Sequence, residues 1–280
     1  MSSLAFVSSN QKSQSNGAFL ESCLVTGGTG FVGRHLVQSL ESRGDVVTLL
    51  CRHNTNGHKA ILGDLTATNF DLSGQSFSTI YHVAGFAHVV PRTQVERERF
   101  FEVNVEGTRN LLKKLEQSER LPESFVLVSS VSVYGRDEGE LLDETTPRDA
   151  VDPYGVSKCQ AEDVVLEWGM VHGVRISIVR LPLVVGSDAP GNLGLMIKAL
   201  RRRRYCGVGP GAARRSMVLA ADVSRILPAI AKLGGTFNLT DGYHPVFSNS
   251  KKRYVPHSTA GLPSGYQLAQ LRLPAGLVKY

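Results

Sequence analysis

The sequence predicts an α/β fold, a doubly wound parallel sheet followed by a small C-terminal lobe. Short apolar runs alternate with segments of helical periodicity from Ser22 onward, which is typical of a parallel sheet that helices cover on both faces. A glycine-rich turn joins the first run to the first helix. The alternation fades after Gly186, where glycine and proline interrupt the pattern, so we expect a separate, smaller unit there.

The individual elements follow from the spacing of apolar residues. Five β-prone runs predict strands at 23–26, 46–51, 79–84, 125–129 and 176–181. A buried stripe at steps of three and four residues predicts the clearest helix, and it consists of Phe101, Val105, Thr108, Leu112 and Leu115.

Length and composition indicate the domain organisation. The chain has 280 residues, of which 42% are hydrophobic and 20% are charged, as in ordinary globular domains. We predict a disordered leader over 1–20, a main domain over 21–182, a small lobe over 183–247 and a basic tail without clear periodicity over 248–280. The leader and the tail together carry the whole net charge of +6. The rest of the chain is neutral, so no nucleic-acid partner is expected.

Cysteine, histidine and hydropathy patterns limit the environment. The four cysteines lie far apart, with no Cys-x-x-Cys pair, which favours a reducing compartment and predicts a cytoplasmic protein without zinc. The histidines show no metal-ligand spacing, so no metal is predicted, and His82 is interpreted as a packed strand residue. No apolar run approaches the roughly 18 residues of a membrane-spanning helix, so no membrane partner is expected.

The glycine turn has the spacing of a dinucleotide-binding loop. Gly28, Gly30 and Gly33 form Gly-x-Gly-x-x-Gly, and Gly27 adds the offset form Gly-x-x-Gly-x-x-Gly. Such glycines allow a tight turn and a close approach of the backbone to a pyrophosphate at a helix N-terminus. Because the loop follows a predicted strand and opens a predicted helix, we predict a bound dinucleotide here.

The residue that selects between NAD and NADP is expected at the end of the second strand. An acid about 20 positions past the loop would bind the ribose 2′-hydroxyl of NAD. Cys51 and Arg52 stand there instead, and the guanidinium of Arg52 suits the 2′-phosphate of NADP. NADP is therefore the preferred cofactor and NAD the alternative. A solvated loop arginine is the other interpretation of Arg52.

Tyr154 and Lys158 place a phenol and an ammonium four residues apart, on one face of a predicted helix. The ammonium is expected to lower the pKa of the phenol, so that Tyr154 exchanges a proton with an alcohol or a ketone. A serine-rich segment, 129–135, ends a predicted strand about 20 residues earlier, at the edge where α/β sheets place their sites. An exposed surface pair is the alternative interpretation.

Together these motifs resemble the extended short-chain dehydrogenase/reductase family, in its NAD-dependent epimerase/dehydratase branch with the UDP-sugar 4-epimerases and 4-ketoreductases. Further segments match in the same order as in the family, at 63–65, 82–85, 104–108, 152–158, 179–182 and 215–218. The resemblance implies a Rossmann domain over 21–182 that binds NAD(P), and a substrate-binding lobe over 183–247.

The resemblance also implies roles for individual residues. Tyr154 corresponds to the catalytic acid/base, Lys158 to its activator and Ser130 to the hydroxyl that holds the reacting oxygen. The cofactor-binding residues expected from the motifs and the resemblance together are Gly27, Gly30, Phe31, Val32, Gly33, Arg52, Asp64, Leu65, Val83, Ala84, Gly85, Asn104 and Pro182.

The implied activity is that of an NAD(P)-dependent oxidoreductase at C4 of a nucleotide-sugar, in the synthesis of surface-polysaccharide precursors. A UDP-linked sugar is expected as the substrate, and the reaction is either 4-epimerisation or 4-ketoreduction. Ser130, Asn192 and Arg215 would bind the substrate, the last two at its diphosphate. A structural ion pair between Arg215 and Asp222 is the alternative.

Two other functions stay open at this point. An NADPH-dependent reductase of a non-sugar carbonyl would use the same tyrosine and lysine. An NADP-binding regulatory protein without turnover belongs to another class, and it is disfavoured because such proteins tend to lose that pair.

The 4,6-dehydratases carry Thr-Asp-Glu where this chain has Ser130-Val131-Ser132, which disfavours the elimination of water. The resemblance allows a homodimer.

Overall fold

The computed structural model describes residues 21–242, apart from 56, 137–138, 140–141, 203 and 205–215. The predicted leader, the basic tail and Arg215 lie outside the described residues. Within the described part of the chain, no helix combines the length and the apolar character needed to cross a bilayer.

Seven parallel strands form the main sheet, and two more strands form a small second sheet. In chain order the strands are β1 (Ser22–Thr26), β2 (Val46–Cys51), β3 (Lys59–Leu62), β4 (Thr79–His82), β5 (Ser124–Ser130), β6 (Arg175–Leu181), β7 (Leu183–Val185), β8 (Met217–Leu219) and β9 (Gly235–Asn238). The main sheet has the order β3-β2-β1-β4-β5-β6-β9, so the chain winds outward from β1 in both directions. β7 pairs with β8. The predicted doubly wound parallel sheet is confirmed.

Helices cover both faces of the main sheet. In chain order they are α1 (Phe31–Ser42), α2 (Gln94–Phe101), α3 (Gly107–Leu115), α4 (Pro153–His172), α5 (Gly191–Arg201) and α6 (Ala220–Leu233). α1 and α6 pack on one face, where Leu36 and Leu227 are fully buried. α3 and α4 pack on the other face, with Leu111 and Trp168 in its core. The central strands are therefore buried on both faces, as expected for such a sheet.

All five predicted strands are present, with boundaries that differ by at most two residues. β4 ends at His82 and not at Ala84, because the N–H of Ala84 donates to the hydroxyl of Thr26 at 3.2 Å. The sequence does not predict β3 and β9. β3 is only partly buried, and β9 is a four-residue strand that directly follows Gly234, so neither carries a strong apolar pattern.

The helix predicted around 101–115 begins earlier and is interrupted. It starts as α2, continues as one π-helical turn over Glu102–Glu106 and ends as α3. The predicted stripe is buried at Val105, Thr108, Leu112 and Leu115 and partly buried at Phe101. π-helical turns occur frequently at functional sites, and this one carries Asn104.

The range 183–247, predicted as a separate lobe, contributes in part to the main sheet. β9 is the edge strand beside β6, and α6 packs against α1 in the layer described above. β7 and β8 form their own two-stranded sheet, and α5 follows β7 along the chain. The division between 182 and 183 stays a prediction.

Candidate functional site

The glycine loop forms a cradle between β1 and α1. Gly27 has a φ of +69°, and a Cβ there would lie 2.6 Å from the backbone nitrogen of Ala84. The N–H of Gly30 closes the turn by donating to the Gly27 carbonyl at 2.9 Å. A Cβ on Gly33 would overlap that same carbonyl oxygen, so only glycine lets α1 approach the loop. The structure therefore uses the offset form of the motif, Gly-x-x-Gly-x-x-Gly.

The N-terminus of α1 opens into this cradle. Gly30 is the N-cap residue and supplies no side-chain hydrogen bond. The first N–H groups of a helix have no partner within the helix, and they bind pyrophosphate well because the helix dipole adds positive charge there. Phe31 and Val32 are the first two residues of α1. Backbone groups and missing side chains in this loop thus fit a dinucleotide.

A buried chain of hydrogen bonds fixes the end of β4. His82 is 1% exposed, with its Nδ1 2.6 Å from Thr26 Oγ1 and its Nε2 2.9 Å from Thr108 Oγ1. The hydroxyl of Thr108 donates to the carbonyl of Asn104 at 2.7 Å, so it accepts from His82. His82 is therefore a neutral Nε2–H tautomer. Burial and the charge of Lys158 lower the pKa of His82 to about 3, and its interpretation as a packed residue is confirmed.

Asn104, in the π-helical turn, holds the segment that follows β4. Its Oδ1 accepts from the N–H of Phe86 at 2.7 Å. Its Nδ2 donates to the carbonyl of Phe86 at 3.1 Å and to the hydroxyl of Ser157 at 2.9 Å. The predicted cofactor residues 83–85 lie between His82 and this contact. The structure thus brings them, Asn104 and the glycine loop together.

Ser130 ends β5 beside Tyr154 and Lys158, which lie on the buried face of α4. Lys158 is 5% exposed, and its Nζ donates to the carbonyl of Val128 at 3.0 Å. Burial lowers the pKa of Lys158 to about 8, and the charge of Glu162 opposes that shift. The three side chains predicted to carry the chemistry therefore meet at the carboxyl end of β5.

The pKa of Tyr154 moves in the direction opposite to the predicted one. Burial raises this pKa, the hydrogen bond with Ser130 lowers it and the charge of Asp152 raises it. The expectation of a lowered phenol pKa is wrong for the protein without ligand, because burial is the largest effect on Tyr154 and it raises the pKa. Tyr154 consequently stays protonated at neutral pH and is a proton donor in its resting form.

An aromatic wall flanks this group of side chains. The rings of Tyr154 and Phe100 lie 5.9 Å apart, and those of Phe100 and Phe86 lie 4.9 Å apart. Gly85 precedes Phe86 and lies over the Lys158 ammonium. The two phenylalanine rings thus provide apolar surface on one side of the Tyr154 ring.

Three further predicted cofactor residues follow β2 and β3. Arg52 is exposed directly after β2. Asp64 accepts from the N–H and the hydroxyl of Thr66, both at 2.9 Å, and these bonds together with the charge of Arg52 lower its pKa. The carbonyl of Leu65 accepts from Asn110 Nδ2 at 2.8 Å. Hydrogen bonds thus hold Asp64 and Leu65 in place, whereas the charged side chain of Arg52 is exposed to solvent.

A cleft of about 430 Å³ opens between the glycine loop, α1 and the segment after β2. Its lining includes Gly28, Thr29, Arg34, Gln38, Thr55 and His58. His58 contacts Glu41 with a distance of 2.8 Å from Nδ1 to Oε1. The cleft therefore offers room beside the loop where a dinucleotide would begin, and Arg34, His58 and the carboxylate of Glu41 all line it.

The chain after β6 returns over the glycine loop. Pro182 separates β6 from β7. A Cβ on Gly186 would lie 2.8 Å from the ring of Phe31, so this segment packs closely on the start of α1. Asn192 lies in the first turn of α5, and Arg215 lies outside the described residues. Of the two predicted diphosphate-binding residues, Asn192 is therefore located on α5, and the location of Arg215 stays a prediction.

Sequence reasoning missed a buried ion pair behind the site. Glu162 is fully buried one turn beyond Lys158, and Arg180 donates to its two oxygens at 3.1 and 2.7 Å. Arg180 also donates to the hydroxyl of Tyr134 at 3.0 Å. The repeat of Tyr154, Lys158 and Glu162 at four-residue steps is the signal that could have found this pair.

Comparison with known families decides the classification. Residues 23–239 match the model of the NAD dependent epimerase/dehydratase family. The chain belongs to the NAD-dependent epimerase/dehydratase family. The resemblance inferred from the motifs is thereby confirmed.

Similar proteins from this family include two curated relatives and a solved structure. The UDP-glucose 4-epimerase of Vibrio cholerae is 32% identical over 195 residues, which are 65% of this chain and 57% of the relative. A dTDP-D-glucose 4,6-dehydratase of Mus musculus is 29% identical over 79% of this chain and 67% of the relative. The structure of MoeE5 in complex with UDP-glucose and NAD has a TM-score of 0.70 and 26% identity, and the match covers 81% of this chain and 79% of MoeE5. The chain spans about half the length of the curated 4-epimerases that it matches.

Proposed function

We propose that the protein is an NAD(P)-dependent oxidoreductase that acts at C4 of a UDP-sugar, as a 4-epimerase or as a 4-ketoreductase. The observation that carries the proposal is the group of Ser130, Tyr154 and Lys158 at the carboxyl end of β5. In a parallel sheet this end shares an edge with the glycine cradle after β1, where α/β folds bind their ligands. The UDP-glucose 4-epimerase relative, and MoeE5 with its UDP-glucose and NAD, support the substrate class.

In the proposed reaction, Tyr154 is the residue that donates or accepts the proton of the substrate oxygen. A bound nicotinamide supplies the group that accepts and returns a hydride at C4. In reduction, the phenol of Tyr154 donates its proton to the ketone oxygen, and in oxidation the phenolate accepts the proton of the C4 hydroxyl. The ammonium of Lys158 stabilises that phenolate through its positive charge. Ser130 bonds to Tyr154 and lies 3.1 Å from Ser132 Oγ, and it would hold the same substrate oxygen in line.

Asn192 and Arg215 bind the substrate diphosphate in this proposal. A guanidinium can donate two parallel hydrogen bonds to a phosphate, and an amide can add a third. Asn192 belongs to the first turn of α5, after the segment that packs on Phe31. Arg215 precedes β8 by two positions in the sequence.

We propose NADPH as the preferred cofactor, with NAD as the alternative. No acid stands at positions 51–54 to bind a ribose 2′-hydroxyl, and Arg52 is exposed there. The neighbouring cleft adds Arg34, while His58 there is paired with Glu41. A preference for NADPH would favour 4-ketoreduction over 4-epimerisation, because net reduction consumes the reduced cofactor in every turnover.

The biological setting is carried over from the resemblance as part of the proposal. The product would be an activated sugar for surface polysaccharide, made in the cytoplasm by a protein that can form a homodimer. 4,6-Dehydration is not proposed, because Val131 and Ser132 follow Ser130 where the dehydratases carry two acids.

The experiment that tests the proposal is a conversion screen. The purified protein is incubated with UDP-sugars and their 4-keto forms, with NAD, NADH, NADP and NADPH in turn. Sugar products are followed by NMR and the reduced cofactor by its absorbance. A 4-epimerase interconverts two UDP-sugars without net change in the cofactor, whereas a 4-ketoreductase consumes NADPH in equal amount. Failure to convert any UDP-sugar, in a protein that binds the cofactor and reduces a non-sugar carbonyl, would contradict the proposal.

A further inference from the structure

Three consecutive residues of β5, 128–130, each form a hydrogen bond with a residue of α4. The three α4 residues are four positions, or about one helical turn, apart. The pairs are Val128 with Lys158, Ser129 with Glu162, and Ser130 with Tyr154. In the middle pair, the hydroxyl of Ser129 donates to Glu162 Oε1 at 2.5 Å. Hydrogen bonds thus join the end of β5 to one face of α4 at three points, and one of the three involves a carboxylate that proton transfer does not use.

Glu162 is the most firmly held of the three helix residues. Its side chain is fully buried, and Arg180 donates to both of its oxygens at 3.1 and 2.7 Å. Arg148 donates to Oε2 at 3.3 Å. Arg180 is in turn fixed by the hydroxyl of Tyr134, which donates to Asn238 at 2.7 Å. Four hydrogen bonds from three side chains therefore determine the position of this buried carboxylate.

We propose that Glu162 is a positioning residue for the proton-transfer group. Held by Arg180 and Ser129, its carboxylate fixes α4 against the end of β5 and keeps the ammonium of Lys158 charged. The assignment rests on the proposed function only in that Tyr154 and Lys158 carry the proton transfer. The positioning itself is a property of the protein without substrate.

The electrostatic part follows from the burial of Lys158. An ammonium that is 5% exposed loses most of its hydration, which favours its neutral form. The negative charge of Glu162, one turn away on the same helix face, opposes this loss. The other charged or titratable groups around the pair are Tyr154, Cys159 and Asp163 on α4, His82 on β4, Arg180 on β6, Tyr134 after β5 and Arg148 before α4. Among all these charged groups, Glu162 is the one whose charge raises the pKa of Lys158.

The test is the titration of Lys158 in the protein without cofactor or substrate. The lysine Cε carbons are labelled with carbon-13 and followed by NMR against pH, and the Lys158 signal is assigned by its loss in Lys158→Arg. The native ammonium is expected to titrate near pH 8. In Glu162→Gln we expect its midpoint to fall by about one pH unit, the usual effect of removing one close opposite charge. Glu167→Gln, which changes an exposed carboxylate on the same helix, should leave it unchanged.

A second variant keeps the proposal testable if Glu162→Gln does not fold. Arg180→Gln leaves Glu162 charged and paired with Arg148, and it removes the main competitor for that charge, so the midpoint of Lys158 should rise. A downward shift in Glu162→Gln supports the proposal, and an upward shift in Arg180→Gln supports it only if the double variant Glu162→Gln/Arg180→Gln lacks that rise, because removing a cation also raises the midpoint by itself. An unchanged midpoint in a folded variant, or shifts in the same direction, would overturn it. Because no substrate is needed, failure of the UDP-sugar assignment would leave this result intact.

Discussion

Gly85 lies so close to Lys158 that a Cβ built on it would be 3.1 Å from the ammonium nitrogen, and 3.2 Å from Asn104 Oδ1. Both neighbours are held in place, Lys158 by the carbonyl of Val128 and Asn104 by the backbone of Phe86. Neither can move aside without weakening a hydrogen bond. The backbone after β4 therefore passes so close to the site that a side chain at position 85 fits only if Lys158 and Asn104 shift by a few tenths of an ångström.

A larger residue at position 85 should displace this segment. We expect Gly85→Val to weaken cofactor binding by about tenfold or more, equivalent to about 1.4 kcal/mol, with a smaller effect for Gly85→Ala. Fluorescence titration with the cofactor measures the change, and the thermal unfolding midpoint shows whether the fold is retained. Native affinity in a folded Gly85→Val protein would show that residues 83–85 do not line the cofactor.

Arg52 is the residue on which the preference for NADPH depends. Replacing it by alanine removes the exposed guanidinium that would pair with the 2′-phosphate, so the affinity for NADPH should fall by about tenfold while that for NADH stays the same. Arg97→Ala is the matched control, because Arg97 is an exposed arginine on α2. Tighter binding of NADH in the native protein, unchanged by Arg52→Ala, would make the arginine a solvated loop residue.

The buried histidine predicts how stability depends on pH. His82 is neutral in the folded protein, with a pKa of about 3, and returns to about 6.5 on unfolding. Its contribution to stability is therefore complete above pH 6.5 and is lost as the pH falls toward 3, at up to about 1.4 kcal/mol per pH unit. The unfolding midpoint should fall less steeply between about pH 6.5 and pH 4.5 in His82→Gln than in the native protein. His53→Gln, at an exposed position after β2, should keep the native slope. Equal slopes in His82→Gln and the native protein would contradict the prediction.

Arg215 separates two interpretations of the region before β8. If it binds the substrate diphosphate, Arg215→Ala should weaken UDP-sugar binding by about 2–5 kcal/mol and leave the unfolding midpoint unchanged. Free UDP should then compete with the substrate in the native protein. If Arg215 instead forms an ion pair with Asp222, the variant should unfold at a lower temperature and bind UDP as the native protein does. Calorimetric titration with UDP, together with thermal unfolding, distinguishes the two.

Much of the site is predictable because its signals are local in the sequence. The glycine cradle requires a missing side chain at Gly27 and Gly33, and a steric requirement of this kind is visible as spacing. Tyr154 and Lys158 share a helix face at four residues, so their common location is predictable as well. The alternation of strands and helices likewise indicates a doubly wound sheet before any contact is known.

What the sequence did not predict depends on contacts between distant segments. Arg180 meets Glu162 because β5 and β6 pair with Ser129 opposite Arg180, and that register is not visible in either segment alone. The pKa of Tyr154 was predicted in the wrong direction because spacing shows neither burial nor the direction of a lysine side chain. β3 and β9 are each four residues long and only partly buried, so periodicity does not separate them from loops.

Turnover of a UDP-sugar by the native protein and by Tyr154→Phe is the most direct test of the proposed proton transfer. The substitution removes one hydroxyl and keeps the ring that packs on Phe100, so the fold and the affinity for the cofactor should be unchanged. Without the transferable proton, we expect the rate to fall by roughly 100-fold to 10,000-fold. A Tyr154→Phe protein that converts the UDP-sugar at close to the native rate would contradict the assignment.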